Sequence, residues 1–334
     1  MTSRDRSSSK PPPRVSLCGL ISVAGVACAV GTLFGFLGPF YWFFDLFSHF
    51  RVQYALGLAV AGGVALFRKE FQMGTGFTGL AMLNAVLLVP QLVAESRPEI
   101  NPISVMFRAV LINVNTRSGD PVRVGAFITE ADPDVLILEE VNENWLVELG
   151  VALAPFPYAV ERPREDNFGI ALYSKFPLVG EEIRFIGQDE VPSIIADAET
   201  PGGCCTIVAT HTVPPAGPKR SAMRNAHLKR LAEEVKKEIY PLLVMGDLNT
   251  TPWSVHFRRL RERTGLHDSS RGHGLSPTWP TYNPLLMIPI DHCFHSDEIT
   301  IIGRSVGPRV GSDHFPLTVD IALGPDTTAG SSLR

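Results

Sequence analysis

Five apolar runs in this chain end in residues that the interior of a strand would reject, and a sixth follows such residues. Val110–Leu111–Ile112 runs into Asn113, and Val135–Leu136–Ile137–Leu138 runs into Glu139 and Glu140. Ile207–Val208–Ala209 reaches Thr210 and His211, while Leu242–Leu243–Val244–Met245 breaks at Gly246 into Asp247-Leu248-Asn249. Met287–Ile288–Pro289–Ile290 leads to Asp291, and Gly311-Ser312-Asp313-His314 precedes the last apolar run. Polar residues at strand ends sit on a sheet's rim, where sites are commonly built. Any one of them reads more readily as a helix cap, a solvated turn or an ordinary hydrogen-bonded histidine. As a set they carry what phosphate-ester hydrolysis needs. Hard carboxylate oxygens hold Mg²⁺ or Mn²⁺, and such an ion neutralises phosphoryl oxygens. A His–Asp pair moves a proton, with the acid fixing the imidazole tautomer. Asparagine amides donate to phosphate without adding charge.

The elements that would position these residues follow from the pattern. Strands are predicted at Arg108–Asn113, Val135–Leu138, Gly169–Ser174, Ser193–Ala198, Thr206–Thr210, Leu242–Met245, Ile290–Phe294 and Leu317–Ile321. Leu228, Leu231, Val235 and Ile239 recur at three- and four-residue steps, which predicts a helix over Ser221–Tyr240. A second helix is predicted over Val122–Glu130. Many strands with interspersed helices indicate an α/β or α+β domain, in which sheets may be covered by helices. The region 105–322 is that domain, and the Gly/Ser/Thr-rich tail 323–334 is expected to be disordered.

The first hundred residues have another character. Val15 to Gly38 and Phe71 to Ala94 are each 24 residues without a charge, enough to cross a bilayer roughly 30 Å thick. Val52 to Phe67 is apolar but only 16 residues long. Three spans (15–38, 52–67, 71–94) within a membrane region 15–94 are the first expectation, with two spans and a re-entrant or interfacial middle helix as the alternative. A cleaved signal peptide fits poorly, because the first run is long and two more follow. Arg4, Arg6, Lys10 and Arg14 in the tail 1–14, with Arg68 and Lys69 between spans, mark the cytoplasmic side. Three spans would put the domain outside the cytoplasm, after a linker at 95–104; two would put it inside. The aromatic loop Pro39–Arg51 suits the opposite interface.

Charge narrows the partner. Residues 1–100 hold 8 Lys/Arg against 5 Asp/Glu, and the remainder holds 22 against 29. A domain gripping a nucleic-acid backbone is usually basic, so the −7 of this one disfavours it. Cys18, Cys28, Cys204, Cys205 and Cys293 have no zinc-type spacing and form no disulfide framework.

Leu-Ile-Asn-Val (111–114), Leu-Glu-Glu-Val (138–141), Asn-Phe-Gly-Ile-Ala-Leu (167–172), Thr-His (210–211), Gly-Asp-Leu-Asn (246–249), Ile-Asp-His (290–292) and Ser-Asp-His (312–314) occur in an order that resembles the endonuclease/exonuclease/phosphatase superfamily, the DNase-I-like fold. With the spans, Asp-Asn-Phe-Gly (166–169) and Asn-Thr-Thr-Pro-Trp-Ser (249–254) resemble its bacterial membrane-anchored members. The resemblance implies a four-layer α/β (α+β) sandwich, two packed mixed β-sheets flanked by helices, here preceded by transmembrane helices. It implies a divalent-metal phosphoesterase using Mg²⁺ or Mn²⁺. Glu140, Asn113 and Asp313 match the metal side; His314 matches the catalytic histidine and Asp291 the acid that orients it. Asp247 and Asn249 match the pair that positions water and phosphate, and His211 matches the second histidine. Asn113, Asn167, His211 and Asn249 are the phosphate-binding candidates. Asn167 stands where DNases carry a glutamate supporting that histidine, which turns the expectation from DNA toward lipid or small phosphoesters.

Around this set, Glu139 is expected on the rim, His292 and Trp253 packed, Arg224 anchoring an internal acid, and Arg162 and Arg164 in a solvated loop or near a substrate phosphate. The expected partners are a phosphoester, possibly lipidic, and the bilayer, with nucleic acid less favoured and no protein partner. The expected location is a bacterial inner or plasma membrane. An inactive receptor on this fold would have lost some of these residues, and a transporter would need more intramembrane polar groups than Asp45, His49 and Arg51.

Overall fold

A computed structural model describes residues 16–93, 103–187, 190–238 and 241–324. The basic tail, most of the expected linker, Ile239 and Tyr240, and the tail from 325 lie outside the described residues.

Four helices form the N-terminal region: α1 (Leu17–Phe36), α2 (Trp42–Ser48), α3 (Arg51–Phe67) and α4 (Phe71–Leu92). Their polarity is inverted relative to a soluble bundle. The buried positions of α1 are Gly25, Gly31, Thr32 and Gly35, whereas Leu17, Val23 and Leu33 face outward. Small residues let helix backbones approach closely where lipid, not water, surrounds them. A Cβ on Gly25 would lie 2.6 Å from that of Ala61, and one on Gly31 would lie 2.6 Å from the Tyr54 ring. Rising numbers on α1 thus meet falling numbers on α3, so the two run antiparallel; Gly62 against Thr78 and Gly74 against Leu66 make α3 and α4 antiparallel as well. α1 and α4 are each long and apolar enough to cross a membrane. α3, 17 residues long, reaches that test only jointly with α2, from which it bends by 65°. The aromatic loop expected at Pro39–Arg51 therefore contains a helix.

Two six-stranded mixed sheets make the second part. The first orders its strands as β11 (Ile299–Val306), β12 (Leu317–Leu323), β1 (Val105–Asn113), β2 (Val135–Glu139), β4 (Ile170–Ser174) and β3 (Tyr158–Arg162). The second runs β5 (Leu178–Arg184), β6 (Ser193–Thr200), β7 (Gly203–Thr210), β8 (Leu242–Asp247), β10 (Asp291–His295) and β9 (His267–Asp268). Each sheet has one parallel pair, β1 with β2 and β7 with β8. Parallel pairing requires a crossover connection, usually a helix. It is α5 (Pro121–Ala131) in the first sheet and α8 (Pro218–Glu234) in the second. Leu111, Ile137, Ile207 and Met245 fill the space between the sheets. Their neighbours Val110, Ile112 and Leu136 point the other way, against α5, α6 (Glu143–Glu148) and α7 (Gly150–Leu153). α8 and α9 (Val255–Thr264) cover the second sheet. The result is the expected four layers.

All eight predicted strands are present. β3, β5, β9 and β11 are additional, and β3 and β5 are largely exposed edge strands that place only Val160, Leu178 and Ile183 against the core, too few to impose apolar alternation. α8 stops at Glu234 and tightens into a 3₁₀ turn, Val235–Lys237.

A buried ion pair joins the two parts. Arg224 of α8 gives Nη2 to Asp45 Oδ2 of α2 at 2.7 Å, and both side chains are 1% exposed. Ser254 Oγ donates to Asp45 Oδ1 at 2.8 Å. Arg224 does anchor an acid, but one contributed by the N-terminal region. Further bonds run from Gln53 Nε2 to the Met287 carbonyl and from the Gly274 amide to the Gln91 carbonyl. Removing one partner of a buried pair leaves an uncompensated charge. Asp45→Ala should therefore destabilise the chain by about 3–5 kcal/mol, while Asp45→Leu combined with Arg224→Met should cost less than either single change. Equilibrium denaturation in detergent micelles checks both.

Candidate active site

Except for Glu139, the polar strand ends named above lie at one rim. The parallel register sets Asn113 beside Glu139, and the antiparallel register sets Asp291 opposite Asp247. β12 starts beside the end of β1, so the Ser312-Asp313-His314 turn ahead of it falls on the same rim. Four residues there, Asn115, Glu140, Asn167 and Asn249, have left-handed backbone, with φ between 47° and 67°. Asparagine visits this region at modest cost, but a glutamate there is uncommon, and such outliers cluster at functional sites.

Glu140 is held from both sides. Asn113 Nδ2 donates to its Oε1 at 3.0 Å and Asn167 Nδ2 to its Oε2 at 2.8 Å. Asn167 thus supports the glutamate rather than His211, whose ring lies against Phe168 instead. Asp313 takes Asn115 Nδ2 at 2.7 Å on Oδ1 and the Trp279 indole at 2.9 Å on Oδ2. His314 Nδ1 is 2.9 Å from Asp291 Oδ2, and Ser312 Oγ fixes the turn by accepting from the His314 amide. Asp247 Oδ2 lies 3.6 Å from His211 Nε2 and 3.8 Å from His314 Nε2. The Asn249 amide donates to Asp247 Oδ1 at 2.8 Å.

Behind this row sits Glu139, and its position corrects the expectation of a rim residue. It is fully buried, and both of its carboxylate oxygens accept from the Asp247 amide, at 3.2 and 3.1 Å. Strand alternation explains the difference: Glu139 is the last residue of β2 and points between the sheets, while Glu140 leaves the strand in left-handed conformation.

The acids repel one another. Burial pushes the Glu139 carboxyl well above its usual range, and Asp247 and Asp291 push it further. Burial raises Asp247 in the same way, with Asp291 adding to it. Burial raises Glu140 too. Burial would lower the His314 imidazole, but Asp291, followed by Asp247 and Asp313, outweighs it and lifts the group to about 10. Burial holds His211 down at about 3, with the charge of His314 adding to the effect. Crowded, oxygen-rich and acidic, the rim fits a hard divalent cation. Ligand atoms of Asp247, Asp291 and His314 all lie within 4.8 Å of one another and form a group able to hold a metal ion. Glu140 and Asp313 offer an oxygen-only alternative in the same cavity.

That cavity has a volume of about 690 Å³ and is lined by Glu140, Asn167, His211, Asp247, Asn249, Asp313 and His314. Asn113 and Asp291 are buried behind them. Arg162 and Arg164 do not line it; Arg164 pairs with Asp166. Arg117 and Arg220 line it instead, and nothing in their sequence neighbourhood marked them. Asn115, Trp279 and Thr278, whose hydroxyl accepts from the Asp291 amide at 3.2 Å, were likewise missed. Of these, only Asn115 adjoins a quoted motif. His292 is packed as expected, with Nε2 donating to the Thr250 carbonyl, and Trp253 is buried.

The sequence profile of the Endonuclease/Exonuclease/phosphatase family matches residues 110–314, which hold the whole rim. The chain belongs to this family. Its members are phosphoester hydrolases, and so is this protein. Family enzymes typically depend on a divalent metal. No curated protein matches the sequence. Among solved structures, an endonuclease/exonuclease/phosphatase from Beutenbergia cavernae is similar at 21% identity and TM-score 0.56, over 66% of this chain and 72% of that one. Truncated Caenorhabditis elegans TDP2 is similar at 16% identity and TM-score 0.53, over 65% and 97%. The human Nocturnin catalytic domain is similar at 17% and 0.53, over 66% and 97%. At such identities these likenesses establish the DNase-I-like fold.

Glu139 gives a test separate from chemistry. Glu139→Gln keeps an acceptor for the Asp247 amide and should hold stability within about 1 kcal/mol, whereas Glu139→Ala leaves that amide unpaired beside a cavity and should cost about 2–4 kcal/mol. Thermal unfolding of the two variants distinguishes them.

Proposed function

We propose that this is a membrane-anchored, divalent-metal-dependent phosphoesterase that cleaves a lipid or small phosphoester outside the cytoplasm. The observation that carries the reading is the convergence, in one cavity, of Glu140 and Asp313 with the Asp291-supported His314 and with Asp247. Glu140 and Asp313 are the favoured holders of Mg²⁺ or Mn²⁺, because His314 already gives Nδ1 to Asp291. The ion would supply neutralisation of the phosphoryl oxygens.

The remaining steps belong to side chains of this chain. Asn113 and Asn167 hold Glu140 in place. Asp247 orients the attacking water, its own position set by the Glu139 and Asn249 bonds. His314 keeps Nε2 for the reaction, and His211 and Asn249 steady the phosphoryl oxygens. Preorganised donors of this kind need no rearrangement as charge develops.

The acidic balance of the domain weighs against nucleic acid. A nuclease is the second reading, and it rests on Arg117 and Arg220 at the cavity. Antiparallel α1, α3 and α4 support three spans, with Arg68 and Lys69 at the end opposite the catalytic domain.

The purified full chain with Mg²⁺ should hydrolyse bis-p-nitrophenyl phosphate, p-nitrophenyl phosphate or a member of a phospholipid panel faster than plasmid DNA. EDTA should abolish the activity and added Mg²⁺ restore it. His314→Ala and Asp247→Ala should each lower kcat by about 10²–10⁴-fold; retention of wild-type rates would remove the assignment. A tag at residue 330 should be accessible from outside intact cells, and a cytoplasmic tag would refute the three-span arrangement.

A further inference from the structure

We infer that the N-terminal membrane region forms one wall of the catalytic cavity, and that this wall selects a phosphoester carried on a membrane lipid. The inference rests on the phosphoesterase reading above and adds the substrate class and the residues that choose it.

Leu46 of α2, with His49 and Phe50 in the turn that follows, lines the same cavity as Glu140, Asp313 and His314. A catalytic domain that only hung from an anchor would not need side chains of the anchor in its site. The wall is also firmly seated. Asp45, one residue before Leu46, is buried against Arg224 and Ser254. The same guanidinium donates from Nη1 to the carbonyl of Asn249 at 2.8 Å. One charged group therefore ties α2 to the turn that carries Asp247 and Asn249.

The lining divides by chemistry. The floor is acidic and histidine-bearing, as a phosphate-cleaving site requires. Around it, Leu46 and Phe50 join Phe168, Pro214 and Ile288 in an apolar rim. A small hydrophilic ester gains little from such a rim, whereas an acyl or prenyl chain is stabilised by leaving water against it. His49 adds a polar point: its Nδ1 is 3.0 Å from Thr251 Oγ1, and its buried Nε2 has no hydrogen-bond partner.

Location agrees with the chemistry. The wall lies between the end of α1 at Phe36 and the start of α3 at Arg51. Those are the ends of apolar helices, the level at which lipid head groups lie if α1 and α3 cross a bilayer.

Two probes with the same scissile bond separate a lipid from a free ester: hexadecyl p-nitrophenyl phosphate and methyl p-nitrophenyl phosphate. Both are offered to the full chain in the same detergent micelles with Mg²⁺ or Mn²⁺. The wild-type kcat/KM for the hexadecyl ester should exceed that for the methyl ester at least tenfold. Phe50→Asp and Leu46→Asp should each cut that ratio at least tenfold. Phe50→Ala, which adds no charge and threatens folding least, should cut it at least threefold. A wild-type ratio near one, or an unchanged ratio in Phe50→Ala, overturns the wall as the selecting element while leaving the phosphoesterase standing. Hydrolysis of neither ester while p-nitrophenyl phosphate is cleaved overturns the inference by pointing to a monoester substrate; cleavage of none of the three, or of the phospholipid panel, overturns the phosphoesterase reading itself.

Discussion

Mutual repulsion among carboxylates is the constraint on which the rest of this structure turns. Strand register sets Asp247 beside Asp291, the packing of one sheet on the other brings Glu139 up behind them, and Glu140 and Asp313 complete the crowd. Left to themselves, these groups would neutralise or separate. The fold counters the repulsion with aimed donors: two asparagine amides on Glu140, an amide and an indole on Asp313, an imidazole on Asp291, and a backbone amide on Glu139. The two sheets supply the rigidity that keeps the donors in place. Left-handed backbone at Glu140, Asn167 and Asn249 is the strain that the rim retains in return.

The same logic of opposed charges continues outward. Arg224 is buried by α8, and a buried guanidinium needs a partner. It finds Asp45 on α2 and the Asn249 carbonyl at the edge of the rim. One residue therefore links the geometry of the site to the seating of the N-terminal helices. Arg51 shows the same economy inside the helical region, donating to the Thr32 carbonyl and to Asn84 Oδ1. Asp45, His49 and Arg51, the ionisable groups between α1 and the start of α3, are structural or cavity-lining: Asp45 pairs with Arg224, His49 lines the cavity and Arg51 is bonded among the helices.

Much of the catalytic half was legible before any coordinates. The buried strands announce themselves because both of their faces are covered, so apolar runs end abruptly where the rim begins. Edge strands such as β3 and β5 carry polar residues on both faces and leave no such trace. The direction of a side chain at a strand end was not legible either. Glu139 and Glu140 are adjacent and chemically alike, yet one points between the sheets and the other into the cavity. Asn115, Thr278 and Trp279 are equally silent in sequence, since each acts on an acid distant along the chain.

The sequence by itself determined the chemistry available, the strands that carry it, the helices apolar enough for a bilayer, and the family. Those depend on residue type and on local periodicity, which a single chain displays directly. Only the tertiary structure decided which acid is buried, which arginines reach the cavity, and that α2 closes one side of it. Those depend on contacts such as Asp45 with Arg224, between residues far apart in the chain. No local pattern encodes them, because the free energy of burying such a pair exists only once both elements are in place.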